Sequence, residues 1–560
     1  MRLLVGPNAN SLSVRAFAGT YVVLIAFNCD LAYCTGLLGF AIRRQDVATG
    51  EVHWLPALKR FDLPPGTGPA QLTTLEAPIQ KFHWGDYTTQ AGKTYAYEVH
   101  AMRGAKGALL SADMVSLTVT CENPDNVGNV GNPDNVGNVG NVGNVADQEP
   151  RHEVHYNRSA ASSQAFAREF PNLPAGEITD PKARAWLSRG LAEALIAFID
   201  DTKAGEGLHL FLYEFDKEEF AEALHEALLR GVRLEILHDG IIKGGKGPSL
   251  KADPLLVGHA LDSEAKHRVG EGLQISHNKF MVRTDTAGTP IAVWTGSTNF
   301  TDAAIYGQSN VGHAIFGPEP ATTYFTWHQD IWNSPDKSVA NSRTDAMRLT
   351  QVPTGVTGTT LVLSPRTSVE ALTRCAQLIT GATDMVCFTA PFALYKDVEA
   401  ALITTPAQVY GLLNLANVVT QALYAAPNTR LAAAGALDNA SVLEAWQADL
   451  VEKESMHHKG VHIHTKVILI DPLSDKPGVI IGSANFSNNS SCNNDENQLF
   501  IFDQPAVADV YIGEFMRMFD HYYFRDHVKN TDTPFLDETD AWTAPFFDGG
   551  EKEKARTAYF

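Results

Sequence analysis

Residues 275–300 read ISHNKFMVRTDTAGTPIAVWTGSTNF, and residues 463–486 read IHTKVILIDPLSDKPGVIIGSANF. Each stretch runs His-x-Lys, apolar run, turn, second apolar run, Gly-Ser-x-Asn-Phe. The first supplies His277, Lys279, Gly296, Ser297 and Asn299; the second supplies His464, Lys466, Gly482, Ser483 and Asn485. The interval from His277 to Ser297 differs by only one residue from that between His464 and Ser483. A repeat on the scale of a domain implies two lobes of one fold.

The repeated residue types suit phosphodiester chemistry. An imidazole titrating near pH ~6.5 serves as nucleophile when neutral and as proton donor when charged, and two histidines can divide those roles. Strand alternation predicts His and Lys, two residues apart, on one face. The two ammonium groups would neutralise phosphoryl oxygens, and the Ser and Asn side chains would donate to charge that grows in the transition state. A lone His-x-Lys says little. Two copies, each followed by Gly-Ser-x-Asn-Phe, leave chance a small share.

The pattern resembles that of the phospholipase D superfamily, H-x-K-x4-D followed by G-S-x-N. The second copy fits throughout, from His464 and Lys466 to Asp471; the first has Thr284 at the Asp place, with Asp285 one position late. Thirteen residues beyond each Ser, where the family often has Glu, stand Asn310 and Glu496. The resemblance implies an α/β fold of two pseudo-symmetric α-β-α lobes sharing one active site. It also implies a covalent phosphohistidine on His277, with His464 as general acid and then base. Lys279, Lys466, Ser297, Asn299, Ser483 and Asn485 would surround the phosphoryl group, and Glu496 would orient one of the two histidines. No cofactor and no metal is expected for this chemistry. A zinc reading of His457, His458, His462 and His464 is weaker: no Cys accompanies them, and Glu452 and Glu454 read as a solvated turn.

Around the motifs the sequence divides into five parts. Residues 1–121 hold short strand-like runs between Asp, Gly and Pro turns, which predicts an all-β sandwich loosely similar to fibronectin type III or immunoglobulin-like modules. The Asn-Pro-Asp-Asn-Val-Gly repeat within 122–149 reads as a flexible linker. Residues 150–355 and 356–530 form the two lobes, with β-α-β units predicted from Ala183 onward. Residues 531–560 form a tail whose Trp542, Phe546 and Phe547 are expected to pack on a lobe.

The chain has 560 residues and a formal charge of −20, which disfavours a surface built to hold long nucleic acid. The expected partner is therefore a phospholipid or other phosphodiester substrate, with DNA or RNA the second choice. A catalytically degenerate binding protein is the third reading, because of Thr284 and Asn310. Six cysteines give no disulfide framework, although Cys29 and Cys34 are the pair that export would join. No apolar run reaches the ~20 residues of a membrane helix, so a soluble protein is expected, cytoplasmic rather than secreted.

Overall fold

The computed structural model describes residues 1–62, 72–128, 150–159, 166, 169–170, 179–434, 462–530 and 535–560. The later part of the Asn-Val-Gly repeat, and Glu452, Glu454, His457 and His458, lie outside the described residues. Among the described residues no helix is long and apolar enough to cross a membrane.

Strands β1 (Arg2–Val5), β2 (Ser13–Ala18), β3 (Val23–Asn28) and β6 (His83–Asp86) form one antiparallel sheet. Strands β4 (Gly39–Asp46), β5 (Val52–Trp54), β7 (Thr94–Ala105) and β8 (Ala108–Thr120) form a second, in the order β5-β4-β7-β8. In β7 the buried Tyr95, Tyr97, Val99 and Ala101 alternate with less buried residues, as a strand with one face in a core requires. The apolar run Ala16–Phe27 becomes two strands, β2 and β3, turned where the Gly19 N–H meets the Val22 carbonyl.

The first lobe is a seven-stranded sheet of β9 (Arg151–Tyr156), β10 (Gly207–Leu212), β11 (Arg233–Asp239), β12 (Ala265–Arg268), β13 (Lys279–Thr284), β14 (Pro290–Gly296) and β15 (Val311–Phe316). Their order is β12-β11-β10-β13-β14-β15-β9. The second comprises β16 (Thr359–Ser364), β17 (Met385–Ala390), β18 (Gln408–Leu413), β19 (Thr429–Ala433), β20 (Ile468–Ile470), β21 (Gly478–Gly482) and β22 (Glu496–Phe502). Reading from β19, its order is β19-β18-β17-β20-β21-β22-β16, which repeats the first. In each lobe a parallel pair, β10 with β11 and β17 with β18, meets an antiparallel motif strand, β13 or β20. The sequence reading missed β9, which closes the first sheet against β15.

Apolar faces on both sides of each sheet decide the layering. Helices Leu191–Asp200 and Glu218–Leu229 cover the outer face of lobe 1, and Glu370–Thr380 and Lys396–Thr404 that of lobe 2. The inner faces share one core with the helices Pro318–Trp332 and Pro505–Asn530, to which Phe211, Phe280, Trp327, Leu469, Ile481 and Phe515 all belong.

Two expectations need correction. The first repeat unit is packed at its start: Val127 is buried and bridges to His152, and the Val154 N–H donates to the Pro124 carbonyl at 2.9 Å. The tail aromatics cover the sandwich, not a lobe. Trp542 Nε1 donates to the Leu37 carbonyl at 2.8 Å, and Phe546 and Phe547 pack on Phe82. All three rings pack against the apolar core of the sandwich.

The sandwich is joined to lobe 2 by more than its linker. Phe17, Val22 and Leu24 belong to the inter-lobe core, and Arg2 pairs with the buried Asp509 at 2.9 Å. A chain beginning at Arg151 would expose these contacts, each large side chain being worth ~1.5–3 kcal/mol. It is expected to melt well below the full chain or to precipitate, measured by thermal denaturation; equal melting temperatures would show the sandwich to be a mere appendage.

Candidate active site

Each motif histidine is positioned by the opposite lobe. Strand β13 begins only at Lys279 and β20 only at Ile468, so His277 and His464 precede their strands, contrary to the expected placement of His and Lys within one strand. The His277 N–H donates to the Asp495 carbonyl at 2.9 Å, and Ser276 bridges to Asp495 in parallel fashion. In the same way the His464 N–H donates to the Ser309 carbonyl at 3.2 Å, and Ser309 bridges to Ile463. Each sheet therefore continues for one residue pair into its neighbour across the lobe boundary.

The side chains cross in the same way. Nδ1 of His277 lies 2.8 Å from Glu496 Oε2, and Nδ1 of His464 lies 2.9 Å from Asn310 Oδ1. Ser483 Oγ donates to Glu496 Oε2 at 2.8 Å, and Ser297 Oγ donates to Asn310 Oδ1 at 2.8 Å. Both serine oxygens also accept a backbone N–H at 3.1 Å, from Asn497 and Val311 respectively. The sequence reading aimed these hydroxyls at substrate; here their protons fix the residue thirteen places on. The glycine before each serine has a positive φ, and a Cβ there would lie 2.3 Å from the Val311 or Asn497 carbonyl oxygen. Only glycine lets the two strands approach so closely.

Lys279 Nζ donates to the His277 carbonyl at 2.7 Å, and Lys466 Nζ to the His464 carbonyl. Both lysines are 1% exposed and Glu496 is fully buried. Burial lowers the Lys279 ammonium to about 8 and the Lys466 ammonium well below its usual range. Burial likewise takes His277 down to about 4, against the pull of Glu496, and pushes His464 well below an ordinary imidazole. Burial alone would raise Glu496, but His277 and Lys279 hold it below the usual carboxylate range. At neutral pH both imidazoles are thus neutral, beside the Glu496 carboxylate and two lysines whose ammonium forms burial disfavours.

Several residues at this site carry no sequence motif. Glu214 accepts from Asn299 Nδ2, and the Tyr213 ring lies 4.8 Å from that of His277. Asp239 accepts from the N–H of Ser276 at 2.6 Å, and burial raises it to about 6. Arg268 and Asp495, both fully buried, pair at 2.8 Å behind His277. Tyr213, Glu214 and Asp239 lie at or just past the carboxyl ends of β10 and β11, where open α/β sheets bind ligands. That position was the one signal by which sequence could have found them. Asn485, the counterpart of Asn299, keeps a buried Oδ1 without a partner among the described residues.

Residues 195–332 and 379–519 match the family model described as cardiolipin synthase, PLD-like domain. The chain belongs to the phospholipase D superfamily. No curated protein matches it. Similar solved structures include the phospholipase D family member Nuc from Salmonella typhimurium, 24% identical over 33% of this chain and 95% of that one, TM-score 0.23. Phosphatidylserine synthase from Haemophilus influenzae Rd KW20 is 10% identical over 66% of this chain and 96% of its own, TM-score 0.41. NucT from Helicobacter pylori is 20% identical over 29% and 96%, TM-score 0.23.

Within this phospholipase D fold, Asp471 accepts from the N–H groups of Thr383, Asp384 and Met385 at 2.8–2.9 Å and so fixes the start of β17. In the first copy Asp285 is a hairpin residue, accepting from Ala287 and Thr289 between β13 and β14. It does not stand in for the motif Asp.

For an aryl diester, whose leaving group needs no proton, kcat/KM follows the free-site groups alone. His277 is neutral above about 4 and Lys279 is charged below about 8. The profile should level off above about pH 5 and fall no later than about pH 8, as the Lys279 ammonium loses its proton. A rate still rising beyond pH 9 would contradict charged lysines in the reaction.

Proposed function

We propose that this chain is a phospholipase D-type phosphodiesterase that hydrolyses a phospholipid headgroup diester through a covalent phosphohistidine. Nε2 of His277 attacks phosphorus, and the bond to the leaving oxygen breaks as His464, which takes up a proton beside the bound phosphoryl anion, gives that oxygen the proton. Water then attacks the phosphohistidine, His464 takes the water's proton, and the phosphorus–nitrogen bond breaks to free His277. Lys279 and Lys466 balance the phosphoryl oxygens, while Ser297 and Ser483 serve as positioning residues.

The crossed pair of partners carries this assignment. Phosphorylated His277 carries a positive ring, and the Glu496 carboxylate at its Nδ1 stabilises that charge as triad carboxylates do. His464 rests on the neutral oxygen of Asn310, which holds an imidazolium less strongly and leaves it the better acid. The environments separate the two basicities in the direction the two roles require.

Support for a lipid comes from charge and from the rim. The formal charge of −20 gives duplex DNA little steering. Ile242, Phe392 and Leu415, each about half exposed, stand on the loops following β11, β17 and β18. Asp239 and Asn414 tie two of these loops to the motif segments, through the N–H of Ser276 and those of His462 and Ile463. Apolar side chains at the rim suit acyl surface better than a polyanion.

Two experiments test the reading. With a nitrophenyl diester, His464→Ala should release about one equivalent of nitrophenolate and then stall as phosphoenzyme, whereas His277→Ala should release none; the reverse pattern would exchange the roles. Mixed micelles of phosphatidylcholine or phosphatidylethanolamine should release headgroup with little dependence on salt. Plasmid nicking should be weak, because each DNA phosphate contact would cost a slope of ~0.9 in log affinity against log salt. Efficient DNA cleavage at physiological salt with no headgroup release would make the chain a nuclease.

A further inference from the structure

The departure of the first motif at Thr284 has a structural counterpart nearby. Thr284 pairs with Gly207 across β13 and β10, and its Oγ1 lies 3.3 Å from Nε2 of His209. A Cβ at Gly207 would lie 2.4 Å from Thr284 Oγ1 and 2.7 Å from His209 Nε2, so the imidazole reaches Thr284 only past a glycine. His209 in turn pairs in register with Glu235 on β11, and the Pro318–Trp332 helix lays His328 against both.

Lobe 2 supplies an internal comparison. His209 pairs with Val282, five residues after His277, just as Cys387 pairs with Leu469, five after His464. Glu235 then corresponds to Tyr410, the partner of Cys387. Cys387 and Tyr410 are core residues, the tyrosine ring lying 5.4 Å from that of Phe519. The fold closes at this place with an apolar filling, so a polar trio in lobe 1 is not a requirement of the architecture.

The trio converges on one point. Glu235 Oε2 is 2.8 Å from His209 Nδ1 and 3.6 Å from His328 Nδ1, and one ligand atom of each residue lies within 4.8 Å of the others. The amide nitrogen of Gln329 completes a fourth corner, bonded to Glu235 Oε2, 3.3 Å from His328 Nδ1 and 3.5 Å from His209 Nδ1. Tetrahedral zinc with bonds of 2.0–2.2 Å sets its ligand atoms roughly 3.3 Å apart, which these separations bracket.

The proton inventory points the same way. His328 Nε2 donates to the Leu210 carbonyl at 3.1 Å, so its Nδ1 is an acceptor that faces the carboxylate oxygen and takes the Gln329 amide N–H at 3.3 Å. Two acceptors opposed across 3.6 Å need a donor or a cation beside them, a place that the Gln329 amide nitrogen takes here. Among the described residues Glu235 forms no ion pair with Lys or Arg. Outward hydrogen bonds from the far nitrogen of each ring are what histidine ligands of metals usually have.

We propose that His209, Glu235 and His328 bind a divalent transition metal, zinc by the chemistry of the ligands. The Gln329 amide, turned over, offers its oxygen as the fourth ligand, and Thr284 and the Leu210 carbonyl hold the rings from outside. Such a closed site braces β10 and β11 against the Pro318–Trp332 helix and takes no part in the phosphoryl chemistry.

The test uses tag-free full-length protein loaded with zinc or cobalt and desalted. Elemental analysis should find one tightly held equivalent lost in Glu235→Gln and kept in His267→Ala, a change in the more exposed His238, Asp253 and His267 cluster. Cobalt should give the visible absorption of a four-coordinate site. Thr284→Val, which preserves volume, should weaken affinity ~10–100-fold. Chelation should lower the melting temperature of the wild type and of His267→Ala, and leave that of Glu235→Gln unchanged. No stoichiometric metal in the folded wild type, or equal metal in folded Glu235→Gln, would reduce the trio to a hydrogen-bonded network and overturn the site.

Discussion

The hydrogen bond between His277 and Glu496 joins a residue of one lobe to a residue of the other, in a place closed to water. Most of what surrounds it follows from that demand. A buried carboxylate needs partners on both oxygens, and Ser483, Asn494 and His277 supply them. Its charge is answered by two lysines that are themselves buried. Removing one member of such a cluster leaves the others uncompensated, at a cost of ~3–5 kcal/mol. The lobes therefore cannot separate without exposing unmatched charge, and the shared apolar core gives the same result on its larger surface.

Backbone pairing supplies the precision. The bridges Ser276 to Asp495 and Ser309 to Ile463 hold each histidine against the strand start of the other lobe. Behind the first, Arg268 reaches Asp495, the Ser342 hydroxyl and the carbonyls of Pro335 and Lys337. Asn497 extends this support, accepting from Thr295 and Tyr324 and donating to Asn278, all at 2.9 Å. Interactions of this kind fix a side chain within the few tenths of an ångström that catalysis requires.

Local rules made part of this legible. Doubled motifs, strand alternation and β-α-β spacing gave two lobes and the identity of the convergent histidines and lysines. What stayed hidden depends on contact between distant segments. Period and propensity cannot say that Glu496 faces His277 and not His464, since His277 lies 219 residues before it in the chain. Glu214 and Asp239 belong to no motif, and only the sheet brings them to Asn299 and Ser276. Val127 sits in a segment of Asn, Gly and Pro, where composition argues for a free chain, and packs because β9 lies within reach.

The two departures of the first copy have separate physical meanings. Asn310 replaces a charge beside His464, and that lowers by one the negative charges that must be buried at the junction. Two identical subunits would have to place the same group behind both histidines and would give them equal basicity. A single chain escapes that constraint, so one imidazole can rest on a carboxylate and the other on an amide. Thr284 works at the far end of the same strand pair, away from the histidines. There, loss of the carboxylate that caps β17 through Asp471 frees a corner, which His209 fills in lobe 1. The two copies thus keep His, Lys, Ser and Asn alike and differ at one contact that crosses the lobes, Asn310 against Glu496, and at one that serves a single lobe, Thr284 against Asp471.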